Sequence, residues 1–257
     1  MMIGVILSAG MGTRLRPLTD EIPKPLLEIN DMTLLERMIK NCMGAGIREF
    51  ILIVGYKKQK VYEIAPELEE KLDISIKIVE NNEYNETNTS VSTYIATSLI
   101  EKECLDDFIL INGDNVVDPE IITRVAATKN TSLIVDNFKQ LNEESFKLIL
   151  DDVKTNEDNS IANGIISEIG KEIDIASSTG EFIGVSKVVK SDVASFNEIL
   201  VDLIDDDRQN YYDFAYKTLS NKTTIDYVLT NGLKWTEIDD YNDWKIANEL
   251  VVSEFEN

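Results

Sequence analysis

The chain contains no histidine. Ser-His and Cys-His nucleophile pairs and histidine-ligated zinc are therefore excluded before any motif is read. Cysteine is nearly absent: only Cys42 and Cys104 occur. That is too few for a disulfide framework, and both stand in apolar contexts that read as packing positions in a reducing cytoplasm. No stretch approaches the roughly 20 apolar residues of a membrane span. Met1 leads into a short apolar strand with no charged leader, so no signal peptide is expected. Positive charge is scarce, with 25 Lys and Arg against 47 Asp and Glu, a net charge of −22. Such a surface repels nucleic acid and anionic membranes, and neither is expected as a partner. A halophile's acidic coat fits poorly, since Lys outnumbers Arg 19 to 6.

What is present is concentrated at the start. Ile3-Gly4-Val5-Ile6-Leu7-Ser8 reads as a buried parallel strand. It empties into Ala9-Gly10-Met11-Gly12-Thr13-Arg14-Leu15-Arg16-Pro17-Leu18, with Pro23-Lys24-Pro25-Leu26-Leu27 close behind. Ser8, Ala9, Gly10, Gly12 and Thr13 leave backbone N–H groups free to close on phosphate oxygens. Arg14 supplies a bidentate fork and Lys24 a point charge. A bare βα turn with two exposed cations is the plainer reading, and the length of the string argues against it. The G-x-x-x-x-G-K-[ST] spacing of a Walker A loop is missing.

Downstream, Thr33-Leu34-Leu35-Glu36 reads as a capping box opening a helix that Gly44 and Gly46 stop. Apolar runs at 50–54, 74–79 and 107–111 read as further strands, with a helix from about Val91 to Leu99. The order β-α-β-α-β implies a Rossmann-like, mostly parallel sheet flanked by helices. From Thr131 the pattern turns to short strands at 132–135, 146–150, 161–167 and 181–188, then a helix capped by Ser191. A second helix is expected over about 211–219 and a last one from near Asp240. With 43% hydrophobic residues, the chain suffices for one domain. Its expected parts are an NTP-binding half (1–130), an inserted mixed β substrate half (131–235) and a closing segment (236–257).

Two aspartates stand at strand ends. Asp114 follows the strand ending near Ile111, and Asp239 ends Trp235-Thr236-Glu237-Ile238-Asp239-Asp240. A metal ion held by one or two carboxylates, phosphate oxygens and water suits Mg²⁺. Asp114 also fits a turn residue. Asp240 is explained as the N-cap of the last helix, with Asp243 in its first turn, which leaves Asp239 as the ligand candidate. Asn88, Thr89 and Ser90 can donate and accept to a pyrimidine edge, and Thr89 or Ser90 equally suits a helix N-cap. Ile169-Gly170-Lys171 followed by Gly180-Glu181-Phe182-Ile183-Gly184 reads as a hairpin with an exposed lysine. Asp205-Asp206-Asp207 reads as a solvated loop.

The string from Leu7 to Thr19 with Pro23-Lys24-Pro25 resembles the nucleotidyltransferase (nucleotide-sugar pyrophosphorylase) family. The resemblance implies a GT-A-like fold, a loop that grips an NTP triphosphate, Arg14 assisting pyrophosphate departure and Lys24 bridging the phosphates. It also implies metal ligation by Asp114 and Asp239, base reading by 81–90, a Lys171 contact to the second substrate's phosphate and a Glu181 contact to its alcohol moiety. The compact length, Tyr211-Tyr212-Asp213-Phe214-Ala215 and the Trp235–Asp240 element resemble cytidylyltransferases for small phosphorylated alcohols, such as the CTP:phosphocholine and inositol-phosphate enzymes. On that resemblance Tyr212 joins the substrate contacts. An aromatic cage for a choline group would draw on Phe138, Phe182, Tyr211, Tyr212, Phe214 and Trp235, and core packing explains the same residues.

The implied reaction is Mg²⁺-dependent transfer of CMP from CTP to phosphocholine, phosphoinositol or a phosphoglutamine-like alcohol, with pyrophosphate released. UTP- or dTTP-dependent transfer to a sugar 1-phosphate and a non-catalytic nucleotide-binding module are the alternatives. The partners expected are small molecules, and homodimerisation is left open.

Overall fold

The computed structural model describes residues 2–157, 159–251 and 253. The closing segment's residues 252 and 254–257, and Met1, lie outside the described residues. Strand β1 (Ile3–Ser8) is buried at every position. It lies parallel to β4 (Glu49–Val54) on one side and β6 (Phe108–Asn112) on the other. Between them come the short hairpin β2 (Glu28–Ile29) and β3 (Met32–Thr33), turned by Asn30 and Asp31 at positive φ, and β5 (Ser75–Glu80), parallel to β4. Helices α1 (Leu34–Gly44), α2 (Lys58–Leu72) and α3 (Thr89–Lys102) make the crossovers.

Beyond β6 the chain forms β7 (Asn115–Val117), α4 (Pro119–Ala127), β8 (Thr131–Asp136), β9 (Lys147–Thr155), β10 (Ile161–Gly170) and β11 (Gly180–Val188). Then follow α5 (Val193–Asp206), α6 (Ala215–Ser220), β12 (Ile225–Leu229), β13 (Trp235–Glu237) and α7 (Tyr241–Leu250). Nine strands make one mixed sheet in the order β5-β4-β1-β6-β11-β8-β12-β10-β9. The segments after Thr131 extend this same sheet, because β11 pairs antiparallel with β6.

Why the central strands are apolar without interruption follows from the layers. Alternate side chains go to opposite faces. Ile6 packs with α1, α2, α4 and α7 on one face, while Val5 and Leu7 pack with α3, α5 and α6 on the other. Both faces are covered, so every β1 position is worth burying, about 1.5–3 kcal/mol per large aliphatic side chain. From β1 the order runs outward through β4 to β5, then returns to β6 on the other side. That reversal opens a crevice at the carboxyl ends of β1 and β6, where ligands of open α/β sheets bind.

Several local expectations are corrected. Thr33 caps α1, with Glu36 N at 3.1 Å from Thr33 Oγ1, but the Glu36 carboxylate turns to Lys40 and Lys71 at 2.8 and 2.9 Å instead of closing a box. The α3 cap is Asn88, neither Thr89 nor Ser90. Ser191 does not cap α5; a 3-10 turn over Lys190–Asp192 leads into it, with no side-chain cap bond. The helix expected over 211–219 is a 3-10 turn (Tyr212–Phe214) followed by α6. Cys42 is buried as a packing residue, whereas Cys104 is exposed at the α3–β6 turn with φ 52°.

Candidate active site

The crevice is built by close backbone approach. Gly113 N donates to Leu7 O at 2.9 Å. A Cβ on Gly113 would stand 2.2 Å from Leu7 O, so only glycine lets the β6 turn press against the end of β1. This contact sets Asp114 beside the Ala9–Arg14 loop. Gly12 takes the left-handed conformation, φ 57°, at the start of the 3-10 turn carrying Arg14. The backbone N–H of Ile238 reaches the same place from the far end of the chain, donating to Asp114 O at 3.0 Å. β13 pairs antiparallel with β7, which begins directly after Asp114, and this pairing brings Asp239 in.

Lys24 is the hub. Its Nζ lies 2.8 Å from Asp114 Oδ2 and 3.2 Å from Asp239 Oδ1, and Arg14 holds Asp239 Oδ2 at 3.0 Å. Burial works against the Lys24 ammonium, but Asp114 and Asp239 overrule it and hold its pKa above the ordinary lysine value. Burial likewise pushes Asp239 up, and the Lys24 and Arg14 charges override it and keep this carboxyl below its usual range. Asp114 Oδ1 is buried with no hydrogen-bond partner. Two carboxylates already gathered around one cation, with one oxygen unsatisfied, fit a hard divalent ion that takes its other ligands from phosphate and water. Among the described residues no group of three or more acidic, His or Cys side chains forms a self-sufficient metal cage.

The cavity has two walls. On one side stand Asn81, Tyr84, Thr87, Asn88, Thr89 and Ser92. Asn81 is buried, and its Nδ2 donates to Thr87 Oγ1 and Ser92 Oγ at 3.2 and 3.0 Å. The expected Ser90 is fully buried instead, its hydroxyl without a hydrogen-bond partner, and it does not line the cavity. A helix opening after Asn88 puts positions 89 and 92 on one face and turns 90 inward, so the phase from the true cap picks Ser92. On the other side stand Glu144, Phe146, Lys171, Glu181, Tyr211 and Asp213. Lys171 Nζ is 2.9 Å from Glu144 Oε2. Burial pulls the Lys171 pKa down, and Glu144 more than reverses it.

Glu181 is 6% exposed with Oε2 unpartnered, and burial pushes its carboxyl up against opposing pulls from Lys139 and the Ser145 hydrogen bond. Asp213 is pushed up to about 7 by burial, with Asp114 adding to it, and Glu237 up to about 8 by burial and then by Asp114 and Asp239. Tyr212 is a correction. Its ring is wholly buried and its hydroxyl donates to Asn112 Oδ1 at 3.2 Å, while Tyr211 and Asp213 on either side face the cavity. Of the strand-end loop, Ala9, Gly10 and Arg14 line the cavity. Ser8 is buried, and Gly12 and Thr13 shape the turn behind it. Glu144, Phe146 and Glu237 line the cavity without a sequence signal that marks them: the first two lie in the loop between β8 and β9, and Glu237 ends β13 two residues before Asp239.

Comparison with known proteins agrees with this geometry. A family model described as nucleotidyl transferase matches residues 3–159. The chain is 37% identical over 119 residues to a 2-aminoethylphosphonate cytidylyltransferase of Lancefieldella rimae, covering 45% of this chain and 46% of that protein. In that match it spans a little under half the relative's length. It is 27% identical over 262 residues to a CTP:phosphoglutamine cytidylyltransferase of Campylobacter jejuni, covering 96% of this chain and all of that one. In solved structures, the CTP:phosphocholine cytidylyltransferase of Streptococcus pneumoniae superposes with a TM-score of 0.73 at 22% identity, over 97% of this chain and 99% of that one. A UDP-glucose pyrophosphorylase superposes with a TM-score of 0.79 at 14% identity, over 99% of each chain. The fold is thus shared with both, and the chain belongs to the nucleotidyl transferase family.

Proposed function

We propose that this protein is a Mg²⁺-dependent cytidylyltransferase that moves CMP from CTP to a small phosphorylated alcohol and releases pyrophosphate. One observation carries the reading: Asp114 and Asp239, 125 residues apart in sequence, converge on Lys24 next to the Arg14 loop. Asp114 and Asp239 would hold the metal, which when bound supplies charge neutralisation on the α-phosphate. Ala9, Gly10, Gly12 and Thr13 offer their loop to the β- and γ-phosphates, and Arg14 and Lys24 neutralise the departing pyrophosphate. Asn81, Asn88, Thr89 and Ser92 present small hydrogen-bonding groups to the base.

Lys171 takes the acceptor's phosphate. With a second pKa near ~6 that phosphate is ionised at neutral pH, so its oxygen attacks the α-phosphorus without a general base. The absence of histidine is then no obstacle, and catalysis consists of positioning and charge neutralisation. Glu181, Tyr211 and Asp213 border the alcohol moiety. The choice of CTP rests on the two cytidylyltransferase relatives, and the phosphorylated acceptor on the Lys171 side of the cavity. Residues 1–130 act as the nucleotide half, 131–235 as the acceptor half and 236–257 as the closing segment. The −22 charge speaks for small-molecule partners in the cytoplasm, and no described helix is long and apolar enough to cross a membrane.

The likeness in fold to a UDP-glucose pyrophosphorylase favours a second reading, UTP- or dTTP-dependent transfer to a sugar 1-phosphate. A matrix of CTP, UTP, GTP and dTTP against phosphocholine, phosphoinositol, phosphoglutamine and sugar 1-phosphates, with products weighed by mass spectrometry, separates them. A CDP-alcohol is expected. Product from UTP or dTTP with a sugar phosphate alone establishes the second reading, and nucleotide binding without any product makes the chain a binding module.

A further inference from the structure

Lys147 is a charged residue that the chemistry above does not use. It begins β9 and is 1% exposed. Its Nζ is held by backbone carbonyls, donating to Asn142 O at 3.1 Å, Glu143 O at 3.3 Å and Ser145 O at 3.0 Å. Three of the four residues of one loop thus close on a single charge. The loop is locked again from its own side. Asn142 Oδ1 accepts from Glu144 N and Ser145 N at 2.8 and 3.0 Å, and Asn142 N donates to Ser145 Oγ at 3.2 Å.

Packing does not account for a lysine here. A buried ammonium carries a desolvation penalty that an apolar side chain of similar volume avoids, and here its hydrogen bonds to three carbonyls offset that penalty. What the ammonium adds is a set of three directed donors. They act on the loop that presents Glu144 to Lys171 and Phe146 to Tyr211, whose rings lie 5.7 Å apart. The Glu144 side chain is 78% exposed and has little packing of its own. Its place is set by the backbone beneath it.

We propose that Lys147 is a positioning residue for the acceptor side of the site: its buried ammonium shapes the 142–145 loop and thereby fixes Glu144 against Lys171. The kinetic part of the test rests on the cytidylyltransferase reading; the structural part does not. In Lys147→Met the acceptor KM rises about tenfold, while the nucleotide KM stays within about twofold. In a Glu144→Gln background the same substitution adds less than about twofold, because both act along one path.

Hydrogen exchange reads the loop without turnover: the Glu144 and Ser145 amides lose protection in Lys147→Met while those of β1 and β4 keep theirs. Should Lys147→Met not fold, Asn142→Ala, at an exposed position, is the second variant and gives the same acceptor-selective pattern. Equal rises in both KM values, additive effects with Glu144→Gln, or unchanged exchange in the loop each overturn the proposal. Failure of every acceptor to react refutes the cytidylyltransferase reading instead, and the exchange result then decides the Lys147 role alone.

Discussion

Replacing Lys24 by methionine removes the cation that Asp114 and Asp239 share. The two carboxylates are left facing each other, and Arg14 still pairs with Asp239 but not with Asp114. Removing one partner of a buried ion pair costs about 3–5 kcal/mol. Here the carboxylates keep 29% and 34% of their side-chain surface, so solvent screening reduces the expectation to about 1–2 kcal/mol. For a chain of this size that lowers Tm by about 2–8 °C.

The pH dependence follows from the two shifts. The Asp239 carboxyl is held below its usual range, so its stabilisation is present above the ordinary carboxylate pKa and lost as pH falls through the folded value. The Lys24 pKa is held above the ordinary lysine value, so its stabilisation is present below that value and lost as pH rises through the folded one. Both act at neutral pH, and the Tm deficit of Lys24→Met is full there and shrinks as the carboxylates protonate. Millimolar Mg²⁺ without nucleotide raises the Tm of Lys24→Met more than that of the wild type, because the ammonium no longer competes for the same oxygens. Turnover falls about 10²–10³-fold. Differential scanning fluorimetry at neutral and acidic pH, with and without Mg²⁺, measures all but the last. An unchanged Tm at neutral pH together with indifference to Mg²⁺ would refute the idea that these carboxylates form one cation site.

Gly113→Ala places a methyl 2.2 Å from Leu7 O and is expected to cost about 1–3 kcal/mol in urea unfolding, with turnover largely lost; a variant as stable and active as the parent contradicts the close-approach argument. Asp213 has a folded pKa of about 7, so the folded state binds the extra proton and stability falls as pH rises from the ordinary aspartate value through 7. Asp213→Asn removes that decline, a difference of at most about 4 kcal/mol, to be read from unfolding curves at pH 5 and 8. Arg208 grips Glu83 with two bonds, 3.1 and 2.7 Å, at the 81–90 loop proposed to face the base; Arg208→Ala should raise the nucleotide KM about threefold and leave Tm nearly unchanged, since exposed pairs contribute little to stability. Thiol titration should find one reactive cysteine in the native protein and two after unfolding, because Cys104 is exposed while burial pushes the Cys42 thiol up to about 12.

The loop after β1 and the two strand-end aspartates were legible in the sequence because physical scarcity marked them. A strand covered on both faces has to be continuously apolar, and β1 is. Arg14 and Lys24 stand out in a chain with six arginines. Asp239 was separated from Asp240 by a capping argument, and the structure has Asp240 and Asp243 in a reciprocal capping box.

The two side walls of the cavity were harder to read for equally physical reasons. Ser92 lines the cavity where Ser90 is expected, a matter of helix phase, which depends on a cap that several polar neighbours are able to supply. Tyr211 precedes, and Tyr212 and Asp213 open, a short 3-10 turn with no long periodicity, so burial of Tyr212 between two cavity-facing neighbours has no pattern to show it. Glu144 reaches the site from a loop shaped by Lys147, a lysine whose burial no sequence rule anticipates.

Asp114 and Asp239 are proposed to hold a metal for cytidylyl transfer. Continuous measurement of pyrophosphate release from CTP, with phosphorylated alcohols as acceptors, tests it most directly. The expected release requires Mg²⁺ and an acceptor, yields one CDP-alcohol per pyrophosphate, and drops at least about 10²-fold in Asp114→Asn. Pyrophosphate release at the wild-type rate in Asp114→Asn, or without any divalent ion, would contradict it.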